Sequence, residues 1–168
     1  KLVEKNITFF KKFNKSNFNT DLKNVRFAKN KDKESIATLA QNAFIKSRFF
    51  QDKGINKKIA RKIKRNWVLN FFKKKRGDYL IISEIKKKPV GFLLIIKNKN
   101  NYIIDLIAVN KTYKKTGLAT KMLIFFENYI KNIKKSLIVV STQSNNKESI
   151  KFYLKNNFKI KFQKYIYH

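Results

Sequence analysis

The residues best suited to chemistry cluster in Val109-Asn110-Lys111-Thr112-Tyr113-Lys114-Lys115-Thr116-Gly117-Leu118-Ala119. The run before it, Tyr102 to Val109 (YIIDLIAV), is almost wholly apolar and reads as a buried strand. After it, Leu118, Met122, Phe125, Phe126, Tyr129, Ile130 and Ile133 recur at helical spacing. A helix N-terminus therefore follows directly on a strand's carboxyl end. The first N–H groups of a helix lack internal acceptors and carry the positive end of the macrodipole, so they form a site for a phosphate or pyrophosphate. Gly117 and Ala119 are small enough for phosphate oxygens to reach the backbone. The same spacing also serves as a plain strand-to-helix connection.

A second constellation lies downstream. The apolar run Ser136 to Gln143 (SLIVVSTQ) is followed by Asn145-Asn146-Lys147-Glu148-Ser149-Ile150-Lys151-Phe152-Tyr153-Leu154-Lys155-Asn156-Asn157-Phe158. Asn145 with Glu148 three residues later predicts a capped helix start, with Ile150, Tyr153 and Leu154 on the inner face. The elements that must position these groups follow from periodicity. They are a strand at 25–28, a helix from Asp32 (Ile36, Leu39, Ala40, Ala43 and Phe44 on one face), a second helix carrying Ile59, Ile63, Trp67 and Asn70, and hairpin strands at 79–85 and 89–96. A strand at 102–109, a helix, a strand at 136–143, a helix and a strand at 158–167 complete the order. Trp67, Ile59 and Ile63 read as core. The fold class is α/β, a mixed sheet with helices on both faces.

The order V-x-x-x-x-K-x-x-G-x-A, strand, N-x-x-S-x-x-F-Y-x-x-x-N-F resembles the acetyl-CoA signature of the GCN5-related N-acetyltransferase (GNAT) superfamily. The usual patterns there have Gln or Arg where this chain has Lys114, and Gly where it has Asn157. Lys retains the charge, and Asn is the non-glycine residue that best tolerates a left-handed helix end. The resemblance covers roughly residues 25–168. It implies a GNAT fold, with a mostly antiparallel sheet whose central parallel strands, 102–109 and 136–143, splay apart to make a slot for the pantetheine arm. It further implies that Ile107, Ala108 and Val109, the turn residues Lys114, Lys115, Thr116, Gly117, Leu118 and Ala119, and Asn146 and Phe152 bind acetyl-CoA. Within the superfamily, Ser47-Arg48-Phe49, Asp52, the helix with Trp67, Thr142-Gln143 and the ending Tyr165-Ile166-Tyr167-His168 resemble the bacterial dTDP-fucosamine (dTDP-4-amino-4,6-dideoxygalactose) N-acetyltransferase branch.

Amide formation from a thioester needs a neutral amine, a donor for the developing oxyanion and a protonated leaving sulfur. By resemblance, Tyr153 is the general acid and the backbone N–H at Val109 or a neighbour polarises the acetyl carbonyl. Asp105 is the candidate catalytic carboxylate, with a water relay as the alternative; a buried Asp would need a partner. Arg48 and Gln143 are the candidate acceptor contacts, Arg48 by pairing with a diphosphate. A surface ion pair between Arg48 and Asp52, and a strand-end hydrogen bond at Gln143, are the simpler alternatives.

A net charge of +31 on 168 residues ordinarily suggests nucleic acid. Here only five of the 41 basic residues are Arg, the chain is rich in Lys, Asn, Ile and Phe, and the KKK runs at 73–75 and 86–88 fall after a helix and in a hairpin turn. AT-biased coding explains that composition, and a basic surface also steers a polyanionic coenzyme or nucleotide-sugar. The expectation is therefore an acetyl-CoA-dependent acyltransferase acting directly on the amine of a nucleotide-linked deoxyamino sugar for polysaccharide biosynthesis. The alternatives are another amine acceptor (protein N-terminus, polyamine or antibiotic) and a basic nucleic-acid-binding module. No Cys and a single terminal His point to cytoplasmic, metal-free chemistry, and no apolar run nears the roughly 18 residues of a membrane span. Neither nucleic acid nor membrane is an expected partner, and a homodimer is compatible with the chain. Because Lys1 is not an initiator Met, residues 1–24 are expected to be a lead-in from a longer chain, and 25–168 the catalytic domain.

Overall fold

The runs at 80–82 and 92–96 lack polar alternation because both lie mid-sheet with helices on each face. A computed structural model describes residues 2–12, 20–44, 54–133 and 137–167. Among these, the strands are β1 (Leu2–Lys12), β2 (Val25–Phe27), β3 (Tyr79–Ile85), β4 (Lys88–Lys97), β5 (Tyr102–Val109), β6 (Leu137–Gln143) and β7 (Lys159–Tyr167). The α-helices are α1 (Lys33–Ala43), α2 (Lys57–Phe72), α3 (Leu118–Ile130) and α4 (Lys147–Lys155). The sheet order is β2-β3-β4-β5-β6-β1-β7, with β5 and β6 parallel and the other neighbours antiparallel. This is the expected mixed sheet with a central parallel pair. Among the described residues no helix is long and apolar enough to cross a membrane.

Alternation along the strands sorts side chains into two cores. Ile81, Leu93 and Ile95 pack with Met122, Leu123, Phe126 and Ile130 of α3 and Tyr153 of α4. Their neighbours Leu80, Ile82, Phe92 and Leu94 pack with Ile36, Ala37 and Ala40 of α1 and Val68 of α2. One ion-pair network joins the first strand of the hairpin side to α1. Arg26 donates to both oxygens of Asp32 (2.7 and 3.0 Å) and to Glu84 (2.8 Å), and the Lys29 N–H also donates to Asp32. Asp32 does stand at the start of α1, but it makes no capping bond there because Arg26 and Lys29 occupy its oxygens.

Four expectations differ from the structure. Residues 1–24 contain β1, which lies inside the sheet between β6 and β7. Its Phe9 is fully buried, and its Lys11 reaches the buried Glu127 of α3 at 2.5 Å. Burial raises the Glu127 carboxyl above the ordinary range, against the pull of Lys11. Ile59 and Leu154 share the apolar spacing of their helices, yet both are about half exposed. They lie where the helix surface turns away from the sheet. Ala43, at the last turn of α1, is likewise exposed. The cap of α4 is Asn146, whose side chain accepts from the Ser149 N–H, and Asn145 stands outside it.

Candidate active site

The slot arises from strand pairing that stops early. β5 and β6 are partners only at Tyr102 with Ile138, Ile103 with Val139 and Ile104 with Val140. Beyond that, β5 stays on β4 as far as Val109 opposite Gly91, while β6 stays on β1 as far as Gln143 opposite Asn6. Each strand keeps its outer neighbour and loses the inner one, so their facing edges carry backbone groups without a ladder partner. Asp105 is the first β5 residue past the split. It is also the extra residue of a β-bulge, since Leu94 pairs with Leu106 but Ile95 pairs with Ile104. The bulge shifts the phase of the strand. Tyr102 and Ile104 face α3, whereas Leu106 and Ala108 face α1, and Ile107 and Val109 return to the α3 side.

At the end of β5 the chain turns through Asn110 to Gly117. Asn110 accepts from the Thr112 N–H at 3.1 Å, and the Thr116 hydroxyl donates to the Tyr113 carbonyl at 2.7 Å. Lys115 (φ 64°) and Gly117 (φ 84°) are both left-handed. α2 and α4 begin with Asn caps, Asn56 and Asn146, but Gly117 caps α3 with no side chain. The leading N–H groups at Leu118 and Ala119 are thus left without a side-chain acceptor. A Cβ built on Gly117 would meet nothing within 4 Å. An open cradle at an uncapped helix start fits a pyrophosphate. Gly117→Ala should therefore cost the free protein only the left-handed strain, about 1–2 kcal/mol, yet weaken acetyl-CoA by about tenfold or more by filling the cradle. Calorimetric titration beside a thermal melt separates the two effects, and unchanged affinity would show that no phosphate approaches Gly117.

The opposite arm carries Gln143, Asn146, Phe152 and Tyr153. Lys114 links the arms, its ammonium donating to both Glu148 oxygens at 2.8 and 3.0 Å across the mouth of the slot. Tyr153 is almost fully buried, its ring 5.6 Å from Phe9, 5.3 Å from Phe152 and 5.4 Å from Phe158. Burial raises its phenol well above the ordinary value of 10, so it holds its proton. Asn157 ends α4 at φ 64°, with the Phe158 N–H donating to the Tyr153 carbonyl and the Asn157 N–H to Leu154. This Schellman closure sets the position of Tyr153, and Asn supplies the left-handed residue.

On the α1 and α2 side of the split, Asp105 accepts two bonds from Arg76, 2.7 Å from Nε and 2.6 Å from Nη2. Arg76 in turn lies over the Trp67 ring at 3.7 Å, with the Lys64 ammonium 3.4 Å from the same ring. Sequence reasoning gives Arg76 no role, because it sits at the end of the 73–75 lysine run. The signal that could have found it is the requirement that an Asp largely withdrawn from water, as Asp105 is with its side chain 10% exposed, have a partner. Trp67 is partly buried against the second core, as its spacing suggests. The structure brings together Asp105, the 107–119 segment, Asn146, Phe152 and Tyr153 around the split. Gln143 ends β6 beside it, its carbonyl accepting from the Asn146 N–H. Arg48 lies outside the described residues.

A mixed sheet whose central parallel pair parts, with an uncapped helix start on one arm and a buried phenol on the other, is the architecture of the GNAT fold. Residues 45–158 match the acetyltransferase (GNAT) family, and the chain belongs to it. The fold is similar to that of the PaiA N-acetyltransferase of Thermoplasma acidophilum, solved with coenzyme A (TM-score 0.64, 15% identity, 82% of this chain and 89% of that one). It is also similar to a GCN5-related N-acetyltransferase from Sphaerobacter thermophilus (TM-score 0.66, 13% identity, 98% of this chain and 50% of that one). At these identities the likeness is one of fold. The spore coat polysaccharide biosynthesis protein SpsD of Bacillus subtilis (strain 168) is 27% identical over 137 residues, 82% of this chain and 47% of SpsD. The chain thus spans about half the length of that relative.

Proposed function

We propose that this chain is the transferase domain of an enzyme that moves acetyl from acetyl-CoA directly to the amine of a nucleotide-linked deoxyamino sugar used in polysaccharide biosynthesis. The observation that carries the acceptor is the similarity to SpsD, a polysaccharide biosynthesis protein, over most of this chain. In this reading the cradle at Gly117 holds the pyrophosphate, with Lys114, Lys115 and Thr116 around it. Ile107, Ala108 and Val109 present the β5 edge to the pantetheine arm, and a backbone N–H there polarises the acetyl carbonyl. Asn146 and Phe152 line the other arm.

The amine enters from the α1 and α2 side, where Asp105 stands clamped by Arg76. Asp105 takes the ammonium proton, directly or through a water, and frees the nitrogen lone pair. As the C–N bond forms and the C–S bond breaks, Tyr153 gives its proton to the departing sulfur, and the second proton, shed by the nitrogen as the amide forms, passes back through water to the phenolate. Gln143, and Arg48 by charge, contact the sugar or its diphosphate. Both substrates belong to the cytoplasm, where the reading puts the reaction.

Because the chain has no Cys, a thiol reagent reports released CoA alone. With acetyl-CoA and dTDP-4-amino-4,6-dideoxygalactose present, thiol release should require both. Release only with a polyamine or a peptide N-terminus would reject the sugar acceptor while retaining the enzyme class.

A further inference from the structure

Among the described strands, Asp105 has no ladder partner on either side. Pairing with β6 ends at Ile104, and on β4 the partners step from Ile104 with Ile95 to Leu106 with Leu94, leaving Asp105 between them. Backbone pairing therefore does not aim this side chain. Among the described residues only Arg76 donates to its oxygens, at 2.7 and 2.6 Å, and the Asp105 side chain is 10% exposed. An apolar residue would serve the sheet at least as well, since pairing two charges away from water contributes little net stability. A clamped carboxylate at the edge of the slot therefore points to function.

Arg76 is itself fixed on several sides. Before it, α2 closes with Lys74 left-handed (φ 57°), the Lys74 N–H donating to the Phe71 carbonyl and the Lys75 N–H to that of Asn70. After it, Gly77 is left-handed (φ 78°) and packs so closely that a Cβ would stand 2.6 Å from Leu94 Cδ1. The Asp78 N–H then donates to the Ile95 carbonyl at 2.8 Å, which ties the turn to β4 at the bulge itself. Beside it, the Trp67 ring lies 3.7 Å from the guanidinium carbon and holds the plane of the fork. The turn, the ring and the bulge converge on one carboxylate.

We infer that Arg76 is the positioning residue for acetyl transfer: it sets the plane and reach of the Asp105 carboxylate, and Trp67 sets the plane of Arg76. This rests on the reading in which Asp105 takes the ammonium proton of the acceptor. A bidentate fork occupies one lone pair on each oxygen and leaves the other on each for the amine or its bridging water. A proton acceptor must stand within about 2.6–3.2 Å of the atom that gives up the proton, and misplacement by about 1 Å costs about a hundredfold. A side chain at a bulge does not meet that tolerance by itself; a forked one does. Arg76 touches no substrate in this role and acts only through Asp105.

The test is a cycle of R76Q, D105A and the double variant, read in two ways. Trp67 is the one tryptophan of the chain, so its emission reports on the stacked guanidinium without any substrate. D105A should shift that emission by freeing Arg76, and unchanged emission would overturn the linkage. Turnover is followed by thiol release from acetyl-CoA with dTDP-4-amino-4,6-dideoxygalactose and, so that the result is independent of the sugar, with ethylamine. R76Q should lower kcat/KM for the amine by about tenfold or more and leave the KM for acetyl-CoA within about twofold. In the D105A background the same substitution should cost less than about twofold further. R76K keeps the charge but not the fork; it should show part of the same loss, and it carries the cycle if R76Q does not fold. An equal loss from R76Q with and without Asp105 would mean a structural role and would overturn this inference alone. Wild-type turnover in D105A would instead overturn the reading of Asp105, and the positioning role with it.

Discussion

Tyr153→Phe is expected to lower turnover by about a hundredfold or more, the range of a lost general acid, while leaving acetyl-CoA affinity and stability close to wild type. The ring does the packing. A phenyl ring in its place would keep the contacts with Phe9, Phe152 and Phe158, since only the phenol oxygen is removed. An interaction made only in the transition state appears as equal losses in kcat and kcat/KM. The pH profile adds a second check. Burial raises the phenol above its ordinary value of 10, so the acid form persists at every pH below that value. The alkaline fall in kcat should begin only above pH 10. A wild-type turnover in the variant, or a profile already falling at about pH 8 with a saturating acceptor, would remove Tyr153 from the role.

Arg26→Ala should destabilise the fold by about 3–5 kcal/mol, the cost of leaving a buried carboxylate without its partner, which corresponds to about 6–20 °C in Tm for a domain of this size. Asp32 is only 4% exposed at its side chain, and the guanidinium supplies both of its charge-assisted bonds. The hydrogen bond from Arg26 is the largest reason that the Asp32 carboxyl is held below the ordinary value of 3.8, against burial, which pushes it up. A lowered carboxyl contributes stability that is present above the ordinary value and lost as pH falls through the folded one. The gap between wild type and variant should therefore be full at about pH 7 and shrink below about pH 4. Arg26→Lys should recover only part of it, since an ammonium cannot bridge Asp32 and Glu84 with the same fork. Denaturant unfolding at about pH 7 and about pH 3 checks both statements; a gap independent of pH would mean that packing, not the carboxylate, carries the loss.

The elements near the slot were legible for a local reason. Strand 102–109 and the helix after Gly117 differ in the period of their apolar residues, and the boundary carries its own small-residue turn. Asn157 was readable in the same way, because a left-handed residue closing a helix is a property of a few consecutive positions. Ile59 and Leu154 were not. They have the spacing of buried residues, but whether a helical stripe is covered depends on how far the neighbouring elements extend over it. The run Ile7-Thr8-Phe9-Phe10 is too short to show its destination, and β1 joins the sheet between two strands that follow it by more than a hundred residues. The lysine-rich composition obscured Arg76, since charge counts do not distinguish a cation that stacks on Trp67 from one that points into solvent.

From the sequence alone come the order of strands and helices from residue 25 onward, the small-residue turn at Gly117, the placement of Tyr153 on the helix after the second parallel strand, and the family resemblance. All of these rest on residues within one or two turns of each other, where backbone geometry and side-chain period are coupled directly. Tertiary structure decided where β5 and β6 part, that Asp105 is a bulge residue clamped by Arg76, and that β1 builds the wall behind Tyr153. Each of these depends on pairing between segments far apart in the chain. Such pairing is selected by the competition of whole surfaces for burial and leaves little trace in any one stretch of residues.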